Sequence, residues 1–166
     1  MSDNKALILS PNNNIRELNG GDYILKTPII AKAWEKCYQM LGEELVNIED
    51  GQLLITIGFP SSGKTTAAVT EENLEKYDVI FDGGFNTKIN RSPIIHIAKG
   101  AGWKVDCLYM TTPYKVCRNR NHRNANGQHV PFEIFKNIAS GMNEPKTHEG
   151  FREIIKINTR PEEDQA

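Results

Sequence analysis

Cysteine is scarce in this chain, tryptophan scarcer, and long apolar runs are missing. The three cysteines, Cys37, Cys107 and Cys117, are odd in number and lack C-x-x-C spacing. This excludes a disulfide framework and a cysteine-built zinc site, and leaves them as reduced core or surface thiols. His96, His122, His129 and His148 are scattered and supply no metal-ligand pair at helical spacing. No segment approaches the roughly 18 apolar residues of a membrane helix. The start, MSDNKALIL, has no basic stretch leading into a long apolar one, so a soluble, cytoplasmic protein without a membrane partner is expected. Linkers rich in proline or serine, repeats and low-complexity segments are absent too. With 166 residues, 39% of them hydrophobic, the chain is expected to form one domain with a buried core.

Excess charge is also lacking. The formal net charge is −1, so affinity for nucleic acid has to come from a local patch. Between 111 and 160 nine basic residues (Lys115, Arg118, Arg120, Arg123, Lys136, Lys146, Arg152, Lys156, Arg160) face four acidic ones (Glu133, Glu144, Glu149, Glu153). Compensating acid lies in the first 57 residues and in Glu162, Glu163 and Asp164. The basic stretch reads as a phosphate-handling surface, against the plainer alternative of a solvated basic face.

What is present is GFPSSGKT, from Gly58 to Thr65, which fits the phosphate-loop pattern G-x-x-x-x-G-K-[ST] and follows the apolar run LLITI. Gly58 and Gly63 permit the sharp turn that aims backbone N–H groups at phosphate oxygens. The helix expected after the loop adds the positive end of its dipole. Lys64 is placed to reach the β- and γ-phosphates and Thr65 to bind Mg²⁺, with Ser61, Ser62 and Thr66 completing the nucleotide cradle. ATP and Mg²⁺ are the expected cofactors.

Around this loop the chain alternates strands and helices. Strands are expected over 6–9, 53–57, 78–81, 105–110 and 153–158. SPNNN after the first strand reads as a turn followed by an irregular stretch to Tyr23. Helices are expected from Thr27-Pro28 to 42–45, from 63 to about 76, from Ser92-Pro93 to Gly100, from Thr112-Pro113 into CRNRNHRN, and from Pro131 to about 142, with a mobile loop over 124–128. That pattern predicts an α/β fold, a mostly parallel sheet with helices on both faces. Asp82 closes the strand VIFD, where a carboxylate meets the phosphates and can hold Mg²⁺ or accept a proton; otherwise it is a turn residue before Gly83-Gly84. Arg118, Arg120 and Arg123 gather at a helix end and read as a lid whose guanidinium groups close over the nucleotide, although a helix C-terminus by itself favours cations.

These pieces, in order GFPSSGKTT, VIFDGGFN, RNRNHRN, HVP and EP…EGFREI, resemble the polynucleotide-kinase-like P-loop kinases. VIFDGGFN is similar to that family's strand ending D-x-T-N, and the last piece to its P-x-x-x-E-G-F ending. The resemblance covers roughly the last 100 residues. It implies Lys64 and Thr65 on phosphate and Mg²⁺, Asp82 and Asn86 in the acceptor pocket, and Arg120 and Arg123 on the ATP phosphates. The chain departs from the family after the helix that follows the phosphate loop, where the strand and helix bearing the general base are missing. ALILSPNNNIREL and TPIIAKAWEKCYQMLGEEL look like that unit, moved to the N-terminus. The predicted organisation is thus a transposed acceptor unit over 1–50 and a nucleotide-binding core with lid over 51–160. It requires strand 6–9 to lie parallel beside 78–81, which in turn lies beside 53–57.

In that alignment Arg16 matches the acceptor-binding arginine, and the general base falls on Asn13, which cannot take a proton at neutral pH. Three options stay open: Asp82 is the base, the acceptor needs little base assistance, or the alignment is one or two residues out. The resemblance extends to bacteriophage kinases that phosphorylate the hydroxymethyl group of 5-hydroxymethyluracil in DNA. The expected activity is γ-phosphoryl transfer to a hydroxyl of a nucleic acid, DNA before RNA, at such a base or at a 5′ end. A kinase of free nucleosides, nucleotides or small metabolites and an ATP-binding module without transfer are the rivals.

Overall fold

The computed structural model describes residues 5–123 and 129–159, so the loop over 124–128, Arg160 and the acidic tail lie outside the described residues. Five strands form one all-parallel sheet: β1 (Leu7–Leu9), β2 (Gln52–Ile57), β3 (Val79–Phe81), β4 (Lys104–Met110) and β5 (Glu153–Ile157), in the order β1-β3-β2-β4-β5. The N-terminal strand pairs with β3 from Leu7 opposite Val79 to Leu9 opposite Phe81, and β3 pairs with β2, as the transposed arrangement requires.

Strand alternation sends side chains to two covered faces. Leu53, Ile55 and Ile57 pack with Val79, Phe81, Val105 and Cys107 beneath α2 (Thr27–Asn47) and α5 (Lys88–Gly100), which contribute Cys37, Leu41, Ile94, Ile95 and Ala98. Leu54, Ile80 and Leu108 face the other way, against Ala68 of α3 (Lys64–Ala68) and Leu74 of α4 (Glu71–Lys76). All three cysteines are buried free thiols.

Four element boundaries differ from the sequence expectation, each for a local reason. SPNNN is not a turn: it begins α1 (Pro11–Leu18), with Ser10 accepting from the Asn13 N–H at 3.3 Å and Pro11 in the first turn. Tertiary contact holds this short helix. Ile15 is buried, and the Asn14 amide donates to the Ala33 carbonyl at 3.0 Å and to Cys37 Sγ at 3.2 Å on α2. The helix after the phosphate loop is broken at Val69, because Thr70 caps a new helix through the Asn73 N–H while the Asn73 side chain donates to the Ala68 carbonyl at 2.9 Å. α2 runs through Gly42 to Asn47, since Leu45 and Ile48 beyond the glycine pack against the core. Finally α5 starts at a Thr87 cap, five residues before Ser92, and carries Pro93 inside it.

The C-terminal part is tied down by a buried ion pair. Arg91 on α5 is fully buried; its Nε donates to Glu149 Oε1 at 2.7 Å and its Nη2 to Oε2 at 3.0 Å, with Nη1 on the Asn143 carbonyl at 3.0 Å. Burial pushes the Glu149 carboxyl up, but the Arg91 bonds and the Lys146 N–H outweigh it and hold it below the usual value. Arg91→Met removes one partner of a buried pair and is expected to cost about 3–5 kcal/mol in urea unfolding at pH 7. Because the Glu149 carboxyl is lowered in the folded state, its contribution is present above the unfolded-state pKa and lost as pH falls through the folded value. The difference between wild type and variant should therefore shrink in acid.

Candidate phosphate-loop site and acceptor cleft

β2 delivers the chain at Ile57 into the turn 58–63. Ser61 (φ 62°) and Gly63 (φ 92°) are both left-handed, a conformation that curls successive N–H groups toward one side. A Cβ on Gly58 would lie 2.7 Å from Met110 Cβ and 2.8 Å from Ser62 Oγ, so only glycine fits there. Ser62 is fully buried and its Oγ has no hydrogen-bond partner among the described residues. α3 has five residues, so the cradle rests on these loop N–H groups more than on a long helix dipole. A phosphate chain fits the strained loop, the glycine-only approach and the adjacent lysine.

Lys64 folds back over the loop, donating from Nζ to the Gly58 carbonyl at 3.0 Å and the Phe59 carbonyl at 2.8 Å. Burial lowers its pKa, and the Asp82 charge works against that shift. Asp82 stands at the end of β3 with both oxygens engaged: Oδ1 accepts from Thr56 Oγ1 at 3.0 Å and Oδ2 from Thr65 Oγ1 in a short hydrogen bond. Thr65 and Asp82 are thus neighbours, as two oxygen donors to one Mg²⁺ must be.

From this loop a cleft of about 540 Å³ runs to the N-terminal unit. Ser61, Gly63, Lys64, Thr65 and Thr66 line one end, and Asp82 and Asn86 are also lining residues. Asn12, Asn13, Tyr23 and Trp34 of the N-terminal unit line it too, with Ile134 and Ile138 of α7 (Phe132–Ser140) contributing as well. Asn13 and Asp82 therefore share one cavity. Among the described residues, Lys64 and Asp82 are the charged ones that line it.

Of the other residues singled out in the sequence, the arginines fall outside this cleft. Arg16 is not among the lining residues; its charge acts on Tyr23, whose hydroxyl burial pushes up and Arg16 draws down. Asn86 lines the cleft, yet its Oδ1 accepts the Gly58 N–H at 2.8 Å, so the amide braces the phosphate loop besides facing the acceptor space. On α6 (Tyr114–His122), Arg120 donates from Nη1 to Thr159 Oγ1 at 2.8 Å and from Nη2 to the Thr159 carbonyl, and Thr159 Oγ1 donates to the Ser62 carbonyl at 2.7 Å. Arg120 thereby reaches the loop through Thr159, while Arg118 and Arg123 line a different cleft. Thr56, Tyr23, Trp34 and Thr159 belong to no motif in the sequence, yet they border the site. Only Thr56 carried a signal, a hydroxyl inside the otherwise apolar run LLITI.

Residues 69–145 match a family model, AAA_33, described as an AAA domain. The matched stretch begins after Thr65, so it is independent of the phosphate-loop motif that precedes it. The match covers less than half of the chain, and the all-parallel five-stranded sheet is consistent with a P-loop kinase fold. Among curated proteins none matches the chain. No helix of the described residues is long and apolar enough to cross a membrane.

Proposed function

We propose that the protein is an ATP-dependent kinase that transfers the γ-phosphoryl group to a hydroxyl of a nucleic acid, with DNA as the substrate. The observation that carries this reading is the single cleft joining the phosphate loop to Asn13, Tyr23 and Trp34 of the N-terminal unit. ATP lies on the loop, Lys64 leaves the Gly58 and Phe59 carbonyls for the β- and γ-phosphates, and Arg120 adds positive charge at the loop's outer side. Thr65 and Asp82 would hold Mg²⁺, which would neutralise charge on the phosphates. The acceptor enters on the side of the N-terminal unit, where Asn13 orients it by hydrogen bonding and Asp82, alone among the described carboxylates in lining the cleft, takes its proton.

Between a base-borne hydroxymethyl group and a 5′ end, the cleft favours the base. The side formed by the N-terminal unit offers two aromatic rings, aliphatic walls and amides, which suit a neutral ring; among the described residues no cation lines it directly, Arg16 acting on Tyr23 from outside the lining, whereas a 5′-terminal phosphodiester would need one in contact. Bacteriophage 5-hydroxymethyluracil kinases supply the matching chemistry. A free nucleoside is the second reading, because a cleft of this volume lies within the small-molecule range. ADP release measured with hydroxymethyluracil DNA, plain 5′-OH DNA and free nucleosides tests the choice. For a DNA kinase the KM of the DNA acceptor rises steeply between about 50 and 200 mM salt. Turnover with nucleosides alone, insensitive to salt, would transfer the reading to the metabolite class.

A further inference from the structure

A second cleft, of about 430 Å³, is lined by Arg118, His122 and Arg123 from the α6 end and by His129, Phe132 and Phe135 from the start of α7. Its walls are fixed relative to each other: the Asn121 side chain donates to the Val130 carbonyl at 2.8 Å and accepts the Val130 N–H at 2.9 Å, and Phe135 is buried beside Cys117. Among the described residues no carboxylate lines the cleft. This sets its arginines apart, since Arg91 and Arg152 are each bonded to a buried carboxylate, Glu149 and Asp106, whereas no described Asp or Glu pairs with Arg118 or Arg123. Phe132, next to these cations, leaves half of its surface in solvent. Guanidinium groups without counter-charges beside an exposed ring constitute the chemistry of a stacked, phosphate-bearing ligand.

Position decides which ligand. Ile134 and Ile138 of α7 face the acceptor cleft, while Phe132 and Phe135 face the second one, so the two cavities lie on different faces of one helix. A helix with its side chains is about 10–12 Å across, a span that a strand covers in a few nucleotides. We infer that this α6–α7 cleft is a binding site for the polynucleotide strand flanking the acceptor, with Arg118 and Arg123 on its phosphates and Phe132 stacked on a base. The inference rests on the nucleic-acid reading above and reassigns two arginines that the sequence places in an ATP lid.

Fluorescence anisotropy of a short labelled oligodeoxythymidylate, with no transfer chemistry involved, tests it. Arg118→Gln/Arg123→Gln should weaken binding and make the log Kd against log salt slope shallower by about 0.7 per lost contact, or about 1.4 in all. Lys5→Gln/Lys104→Gln removes equal charge before β1 and at the start of β4, the opposite edge of the sheet from the loops, and should leave the slope unchanged. Phe132→Ala should weaken binding about ten-fold while keeping the slope. Equal losses in both charge variants, or an unchanged slope in the arginine variant, would overturn the site. Weakened ATP binding by calorimetry with unaltered oligonucleotide binding would return both arginines to the nucleotide. Oligonucleotide binding that follows these expectations while no acceptor is phosphorylated would refute the kinase reading and leave this site standing.

Discussion

Lys64→Ala abolishes phosphoryl transfer, with a loss of at least about 10²–10³-fold, and leaves the folded structure in place. The lysine is the cation nearest the phosphate positions, and among the described residues no other basic side chain lines the cleft to replace it. It is not the exposed loop residue that the motif alone implies, since it is partly buried and capped by two carbonyls. Burial works against its charge, so its loss costs the folded state little. Circular dichroism and thermal unfolding should match wild type while labelled phosphate stays on ATP. Transfer retained in the variant would remove the phosphate loop from the mechanism.

Asp82→Asn is the second large effect, with an expected loss of about 10²–10⁴-fold in the chemical step if the carboxylate takes the acceptor proton. The bonds from Thr56 and Thr65 give a metal-organising role equal standing. The two roles separate kinetically. A base variant keeps its affinity for ATP and loses turnover at every Mg²⁺ concentration, whereas a metal-site variant binds Mg²⁺-ATP weakly and recovers as Mg²⁺ is raised. Asn13→Ala should cost less than Asp82→Asn in single-turnover assays at saturating ATP, because an amide orients a hydroxyl without deprotonating it. A larger loss at Asn13 would put the chemistry on the wrong residue.

The order of the sheet was legible because it follows from apolar runs and from one missing unit. LLITI, DVIF and VDCLYM are too apolar to be anything but buried strands, and the short passage from Lys76 to Val79 leaves no place for another strand between β2 and β3. The partner strand had to come from residues 6–9. α1 was not legible, because Asn12, Asn13 and Asn14 read as turn formers until Asn14 is seen donating across to α2. The same Ser-Pro pair that starts α1 misleads at Ser92-Pro93, where the Thr87 cap and the burial of Arg91 begin the helix earlier. Among the arginines, sequence grouped Arg118, Arg120 and Arg123 as one lid. Helical geometry instead turns Arg120 toward Thr159 and the other two toward the second cleft. Partners such as Thr159 and Glu149 lie 39 and 58 residues away from Arg120 and Arg91, a distance that no local pattern can bridge.

The most direct measurement is to incubate the protein with γ-labelled ATP, Mg²⁺ and hydroxymethyluracil-containing DNA, digest the DNA with nucleases and locate the label. Label should appear on the nucleotide bearing the hydroxymethyl group, with plain 5′-OH DNA and free nucleosides much poorer acceptors. Label found only in inorganic phosphate or only on free nucleosides would contradict it.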